Sequence, residues 1–306
     1  MIFLKDRNCC SLQLEDYYKR LNKVTDNLYD AKVLITWSDI PLTENKQILM
    51  AKELGIKTFV IQHGRNATVD YDPDYLDLNG NSGQKFIGDY FFVWGEPDRQ
   101  RLLKSGVNDS QIIITGSPLI PCQIPEIAEK KFVVFLSHHD LRPDFAKINE
   151  EVHATLAKKY GLDYLLVYSA QYLNEPLTKI EKDIKYTRIK IDGADRSAWL
   201  NMMSILRKAK CVVSIMASSF EGLSMCFGDI PIVRVACDLG VRDKEGKVEY
   251  ENSGTHFCDT NTLIDTIEKV KPEELKEQRL QIARDEYGLD YLPALPIMTK
   301  EINKWL

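Results

Sequence analysis

The chain of 306 residues and 35.2 kDa is long enough for two domains of about 150 residues each. A hydrophobic content of 44% with 28% charged residues is typical of a globular protein and excludes a disordered one. Forty Lys and Arg against 45 Asp and Glu give a net charge of −5, and no basic block occurs. This charge balance excludes a nucleic-acid partner held by electrostatic attraction.

The longest apolar runs, such as residues 211–216, fall far below the roughly 20 residues that a membrane-spanning helix needs. We therefore expect no transmembrane segment. The N-terminus lacks the apolar core of a signal peptide, which predicts a cytoplasmic protein. The seven cysteines lack the paired CxxC or His spacings that a zinc site needs, so we expect reduced, buried thiols and no metal. We also expect no cofactor.

Short β-branched runs alternate with polar stretches of helical length along the chain. This alternation is typical of βα units and predicts an α/β fold with parallel sheets. In the first half, the predicted strands are residues 32–37, 58–62, 90–94 and 111–115. The clearest helix is predicted at residues 42–54 and ends at Gly55.

Three prolines among residues 117–125 interrupt the pattern and predict a linker. We therefore expect two Rossmann-like domains, residues 1–122 and 123–306, with a ligand cleft between them. The predicted strands of the second half are residues 132–137, 164–168, 187–191, 211–215 and 230–235. The predicted helices are residues 144–160, 197–209, 219–227, 261–270 and 273–287, and the tail at 292–306 is expected to cross back to the first domain.

Ligands of open parallel sheets bind beyond the carboxyl ends of the strands, so the residues that follow each strand are the candidates. The first such loop is Gln62-His63-Gly64-Arg65. His63 suits a general base beside a glycine that allows a tight turn, and Arg65 adds an anion-binding group. The alternative is an ordinary strand-end histidine that bonds to the backbone.

Two further loops follow predicted strands. Gly116-Ser117-Pro118 stands at the expected domain junction and is either a ligand-binding turn or only a tight turn. Ser137-His138 opens the loop after the first strand of the second domain. Because neighbouring side chains of an extended backbone point to opposite sides, at most one of His138 and the next histidine is expected to face a ligand.

The fourth loop, residues 216–222, contains Ser218, Ser219 and Glu221 at the start of a predicted helix. Free amides, hydroxyls and the positive end of the helix dipole suit a phosphate group there. The alternative is a capping box, because Ser218 and Glu221 have the spacing in which the glutamate reaches back to the N-cap amide.

The order of these features resembles nucleotide-sugar enzymes of the GT-B fold. Residues 89–96, 103–107 and 112–118 resemble the end of their N-terminal domain. Residues 209–233, with Ser-Ser-x-Glu and Gly-x-x-Pro, resemble the donor-binding part of their C-terminal domain. The resemblance implies that Ser218 and Ser219 hold phosphate, that Glu221 contacts the ribose or the sugar, and that His63 acts as the base.

Two branches of this fold are alternatives. The UDP-N-acetylglucosamine 2-epimerases carry a Glu in the strand-end loop, where this chain has Gln62-His63-Gly64, and an amide does no acid–base work. Their His-Arg-Arg-Glu run is here His138-His139-Asp140-Leu141, and no Thr-Glu-Arg-Pro stretch follows Arg234. The chain resembles more closely the transferases that build capsules, lipopolysaccharides and teichoic-acid-like polymers.

The resemblance thus predicts a metal-independent glycosyltransferase that moves a sugar from a UDP- or CMP-type donor to a hydroxyl of a surface polysaccharide or glycolipid. His63 and Glu221 are the expected catalytic residues. Donor or phosphate contacts are expected from Ser137, His138, Ser218, Ser219, Gly116 and Ser117, and other cleft contacts from Gln62, Gly64 and Arg65. The alternatives are an epimerase-like enzyme or a non-catalytic nucleotide-sugar-binding domain.

Only about 30 residues precede the first predicted strand, fewer than the N-terminal domain of this fold normally uses. The resemblance therefore implies either a shortened domain or a larger chain or partner domain that completes it. Peripheral attachment at the inner membrane face, common in the transferase branch, is an open alternative to a purely cytoplasmic location.

Overall fold

The computed structural model describes residues 31–37, 42–62, 86–120, 129–137, 143–169, 184–191, 196–215, 219–235 and 254–306. The chain divides into two compact units. The first comprises Met1–Pro118 with Glu286–Leu306, and the second comprises Leu119–Asp285. The boundary expected between residues 122 and 123 lies outside the described residues and stays a prediction.

The first unit contains a four-stranded parallel sheet in the order β1-β2-β3-β4. Its strands are β1 (Val33–Thr36), β2 (Lys57–Ile61), β3 (Tyr90–Val93) and β4 (Ile112–Ile114). Its described helices are α1 (Leu42–Glu53), α2 (Glu96–Lys104) and, after the second unit, α8 (Ala294–Ile302). The four strands and the helix α1 that the sequence predicts here are confirmed, with ends that differ by at most one residue.

Both faces of this sheet are covered, because side chains alternate between the faces of each strand. One face packs against α1 and α2 through Ile48, Val60, Phe91, Val93 and Leu102. The other face packs against α8, where Ala294 and Met298 meet Phe59 and Phe92. Two-sided burial explains why these strands have almost continuous apolar sequences.

The second unit contains a six-stranded parallel sheet in the order β10-β9-β8-β5-β6-β7. Its strands are β5 (Phe132–Leu136), β6 (Tyr164–Ser169), β7 (Thr187–Ile191), β8 (Ala209–Ser214), β9 (Ile232–Val235) and β10 (His256–Cys258). Its helices are α3 (Pro143–Tyr160), α4 (Arg196–Arg207), α5 (Ser219–Met225), α6 (Leu263–Lys269) and α7 (Lys276–Tyr287), which contains the boundary after Asp285. Five of the six strands were predicted, and the three-residue β10 was not.

The core of the second unit is formed where α3 and α6 pack on one face of the sheet. Val133, Phe135 and Val213 from the central strands meet Leu156 of α3 and Leu263 of α6, all of them buried. The intervening strand residues Val134, Val212 and Ile232 are also fully buried, on the opposite face. The predicted α/β fold with parallel sheets is therefore confirmed in both units.

The strand order of the second unit is doubly wound. The chain starts at β5 in the middle, runs outward through β6 and β7, and then returns to the other side of β5 at β8. Crossovers leave in opposite directions from these two strands, so a crevice opens between their carboxyl ends, and this topological switch point is where such sheets bind ligands. The residues that follow β5 and β8 are therefore the candidates for ligand binding.

Among the described residues, no helix is both long and apolar enough to cross a membrane.

Candidate functional site

The candidate site lies at the carboxyl ends of β5 and β8, the switch point of the second sheet. Leu136 at the end of β5 pairs with Ser214 of β8, which in turn pairs with Arg234 of β9. Ser137 directly follows β5, and α5 begins at Ser219 shortly after β8. Two of the loops that the sequence identified as ligand-binding, those of Ser137 and Glu221, are therefore attached to neighbouring strands.

Glu221 on α5 is fully buried and joins three elements. The hydroxyl of Ser214 donates a hydrogen bond of 2.6 Å to Oε2 of Glu221, and Nη2 of Arg234 donates to Oε1. Because Ser214 and Arg234 are register partners, their side chains leave β8 and β9 on the same face and both reach the carboxylate. These bonds fix α5 against the sheet at the switch point, and the catalytic role expected of Glu221 stays a prediction.

Sequence reasoning missed Arg234 and Ser214 as partners of Glu221. Arg234 is about as buried as Glu221, and its guanidinium lies 5.8 Å from the ring of Phe257 on β10. Among the described residues, its Nε has no hydrogen-bond partner. A buried arginine in the middle of an apolar strand was the one available signal, because charged residues are rarely buried without a partner.

Ser137 is held by α3. Nδ2 of the buried Asn149 donates to the Ser137 hydroxyl over 3.0 Å, and that hydroxyl donates to Oδ1 of Asn149 over 3.2 Å. The Ser137 amide donates to the carbonyl of Val167 on β6 over 2.9 Å. A hydroxyl fixed in this way at the end of a central strand is preorganised to bind a polar ligand. Asn149 was not identified from the sequence.

Other predicted residues of this site are only partly described. Ser219 is the first residue of α5, whereas Ser218 and His138 lie outside the described residues, and their roles stay predictions. Helix α5 ends at Met225, two residues earlier than predicted, so it spans seven residues, or about two turns.

In the first unit, Gln62 follows β2 and is buried. Its Nε2 donates to Oδ2 of Asp98 over 2.9 Å, and its Oε1 accepts from the amide of Trp94 over 2.8 Å. Asp98 is also bound by Arg101 over 2.9 Å. Gln62 therefore fixes the start of α2 to β2. Its amide is not a base, and the carboxylate of Asp98 is already bonded to Gln62 and Arg101. His63, Gly64 and Arg65 lie outside the described residues.

Gly116 and Ser117 form a tight turn after β4. Gly116 has φ of +74°, and a Cβ at this position would lie 2.7 Å from the carbonyl oxygen of Gly288. The Ser117 amide donates to the carbonyl of Tyr287 over 2.9 Å, and Ser117 itself is buried. A glycine is required here because the turn packs closely against Gly288. The predicted phosphate contact of this turn stays a prediction.

Among the described residues, no three His, Cys, Asp or Glu side chains come together as a metal site would require.

Several solved structures share this fold. The UDP-N-acetylglucosamine 2-epimerase of Neisseria meningitidis, bound to UDP-GlcNAc, has 16% identity and a TM-score of 0.59 over 94% of this chain and 81% of that one. The S. aureus MnaA–UDP co-structure has 14% identity and a TM-score of 0.59 over 95% and 82%. The epimerase of Rickettsia bellii has 15% identity and a TM-score of 0.57 over 94% and 80%. No family model and no curated protein matches the sequence.

These similarities establish the fold as the two-unit, GT-B-like fold of the UDP-N-acetylglucosamine 2-epimerases. The prediction of a glycosyltransferase is wrong, because solved structures that share the fold, those of Neisseria meningitidis and Rickettsia bellii among them, are UDP-N-acetylglucosamine 2-epimerases. The physical reason is that Glu221 of the Ser-Ser-x-Glu pattern lies in the short helix α5 and that the Gly-x-x-Pro pattern lies between α5 and β9, so both patterns belong to the framework of the second sheet. Those patterns therefore identify the fold without distinguishing the reaction.

Proposed function

We propose that this chain binds a UDP-sugar at the carboxyl edge of its second sheet and acts on it as a UDP-N-acetylglucosamine 2-epimerase. The observation that carries the proposal is the doubly wound strand order, with Ser137 and the helix of Glu221 at its switch point. The shared fold supports the substrate class, because the Neisseria meningitidis enzyme was solved with UDP-GlcNAc and MnaA with UDP.

The described residues suit binding of the diphosphate end of such a ligand. The Ser137 hydroxyl, held by Nδ2 of Asn149, donates to a phosphate oxygen when its proton turns from Oδ1 of Asn149 to the ligand. The bonds of Glu221 to Ser214 and Arg234 hold α5 in place, so its first residues lie at the switch point without rearrangement. Preorganisation of this kind lowers the entropic cost of binding.

Inversion at C2 of the sugar requires that a base remove the proton at C2 while the C1–O bond to UDP breaks, because the electron pair of the C2–H bond can then form a C1=C2 double bond as UDP leaves. Return of UDP to C1 and of a proton from an acid to the opposite face of C2 completes the inversion. The amide of Gln62 provides neither function, and it is already bonded to Asp98 and Trp94. We assign the base to His63, the imidazole next to Gln62, because its ordinary pKa is close to neutral pH.

A second candidate is a non-catalytic UDP-sugar-binding protein, and the structural role of Gln62 favours it. Its amide occupies the strand-end position at which the epimerases carry a carboxylate, and both of its polar atoms are used within the protein. This candidate shares the binding site of the first and differs only in turnover.

The test is calorimetric titration of the full chain with UDP and UDP-GlcNAc, followed by proton NMR of the UDP-GlcNAc mixture over time. Ser137→Ala is expected to weaken UDP binding about tenfold, the value of one lost hydrogen bond to a charged group. Ser105→Ala, at an exposed serine of the first unit, is the matched control and should bind like the wild type.

Binding with appearance of the 2-epimer would support the enzyme, and its loss in His63→Ala would support the assigned base. Binding without a new sugar signal would favour the second candidate. Absence of saturable binding of either nucleotide would overturn both.

A further inference from the structure

A cavity of about 260 Å³ lies at the opposite, amino edge of the second sheet. Val133 and Cys211, near the first residues of β5 and β8, form part of its apolar floor together with Ile267 of α6. Its polar lining consists of Lys130, Lys210, Tyr160, Asp229 and Glu268. All of these residues belong to the second unit, and none of them is used in the proposed nucleotide site.

The carboxylates of this cavity are already engaged. Asp229 accepts from Nη1 of Arg207 over 2.8 Å, and its other oxygen lies 3.2 Å from Nζ of Lys130. Glu268 accepts a hydrogen bond of 3.0 Å from the Tyr160 hydroxyl. One carboxylate is thus shared by two cations, while the other is used by a neutral donor.

One lysine of the lining takes no part in these pairs. Among the described residues, Lys210 has no carboxylate within ion-pair distance. The fully buried Arg279 lies next to the turn of Asp229, where its guanidinium bonds to the Gly228 carbonyl over 2.8 and 3.0 Å, and it is attracted by both Asp229 and Glu273. Burial lowers the pKa of Lys130, so its ammonium lacks full compensation from Asp229.

We propose that this cavity binds a small organic anion, with its oxyanion headgroup on Lys130 and Lys210 and its apolar body against Val133, Cys211 and Ile267. The volume is too small for a nucleotide sugar and suits a monocyclic carboxylate or phosphate ester. Burial raises the pKa of the Cys211 thiol to about 12, so the thiol stays protonated and belongs to the apolar floor.

Two lysines at an amino edge also have an ordinary role. Helices α3 and α6 end here, and the carbonyl groups at a helix C-terminus attract cations without any ligand. That role explains neither the cavity nor the sharing of Asp229 by Arg207 and Lys130. The two interpretations differ in whether a soluble anion binds.

The test is NMR titration of the full chain with inorganic phosphate, phenyl phosphate and benzoate. We expect phenyl phosphate or benzoate to bind at least tenfold more tightly than inorganic phosphate, because the ring buries apolar surface against the floor. The organic probe that binds identifies the headgroup as phosphate or carboxylate. Absence of saturable binding by both organic probes, or preference for inorganic phosphate, would overturn the proposal.

The variants locate the site. Lys130→Met, Lys210→Ala and Val270→Phe, which fills the cavity from its lining, should each weaken binding at least tenfold. The exposed neighbours provide matched controls, and Lys131→Met and Lys208→Ala should stay within twofold of the wild type. Equal binding by all five variants would contradict the proposed cavity.

The cavity and the nucleotide site are tested separately. Ser137→Ala and saturating UDP should leave binding of the organic anion unchanged, because Ser137 lies at the other edge of the sheet. Displacement of the anion by UDP would assign it to the nucleotide site and overturn the proposal.

Discussion

Single residues with unusual surroundings give the sharpest predictions, and Gln62 is the first. Its side-chain amide accepts a hydrogen bond from the backbone N–H of Trp94 and donates one to the buried carboxylate of Asp98. Gln62→Leu keeps the volume and leaves both groups without this partner, which should destabilise the protein by about 1–3 kcal/mol. Urea unfolding followed by circular dichroism measures the change. Gln100→Leu, at an exposed glutamine of α2, should change stability by less than about 0.5 kcal/mol.

His153 on α3 predicts a pH dependence. It is buried, its Nδ1 lies 2.7 Å from the Tyr164 hydroxyl, and burial, with the nearby charge of Arg188, lowers its pKa to about 4. The unfolded chain binds a proton near pH 6.5 while the folded chain does not, so stability falls as pH decreases from 6.5 to 4. The full effect is roughly 3 kcal/mol.

Replacement of His153 by Phe removes this difference in proton binding. The free energy of unfolding of His153→Phe should therefore fall less between pH 7 and pH 4.5 than that of the wild type, whatever its value at pH 7. His256, whose pKa is also lowered by burial, is present in both proteins and cancels in the comparison. Parallel pH profiles of the two proteins would contradict the assignment.

Between elements, the bonds of Glu221 to Ser214 and Arg234 join α5 to β8 and β9. Glu221→Gln leaves the Arg234 charge buried without its counterion, which should destabilise the second unit by about 3–5 kcal/mol. Adding Arg234→Met removes that charge and should restore part of the loss. Urea unfolding of the two single variants and the double variant measures the coupling; additive losses would show that the two side chains act independently.

The sequence predicted most elements because long strands have continuous β-branched runs and α1 ends at a glycine. It missed β10, since three residues, His256–Cys258, contain no periodicity. It predicted a charged helix at residues 273–287. It did not predict that Arg279 in this helix is buried and donates hydrogen bonds to three backbone carbonyl groups. Likewise, the positions of Ser137 and Glu221 followed from strand ends, whereas their partners Asn149 and Arg234 depend on strand register, which one sequence does not specify.

For the whole molecule, the sequence predicted the α/β class but not the reaction. The strand order of each sheet depends on crossovers between distant segments, and the second sheet is doubly wound only because β8 returns beside β5. The Ser-Ser-x-Glu and Gly-x-x-Pro patterns, which resembled those of transferases, indicate this architecture and not the reaction. Distinguishing an epimerase from a transferase depends on the side chains around the sugar. Of the loop Gln62-His63-Gly64-Arg65, in which we expect the base, the structure describes only Gln62.

The first unit combines an early segment of the chain with its last 21 residues, Glu286–Leu306, which contain α8. Met298 of α8 is buried in a cluster with Phe59 and Phe92, whereas Leu295 on the same helix is 44% exposed. Met298→Asp places a charge against two aromatic rings and should release α8 from the sheet. Leu295→Asp adds the same charge at the same helix without burying it, and should behave like the wild type.

Hydrogen exchange measured by mass spectrometry distinguishes the two units. Met298→Asp should show faster exchange in β2 and β3 and unchanged protection in β5 and β8, because each unit has its own core. Equal loss of protection in β5 and β8 would show instead that the two cores unfold as one.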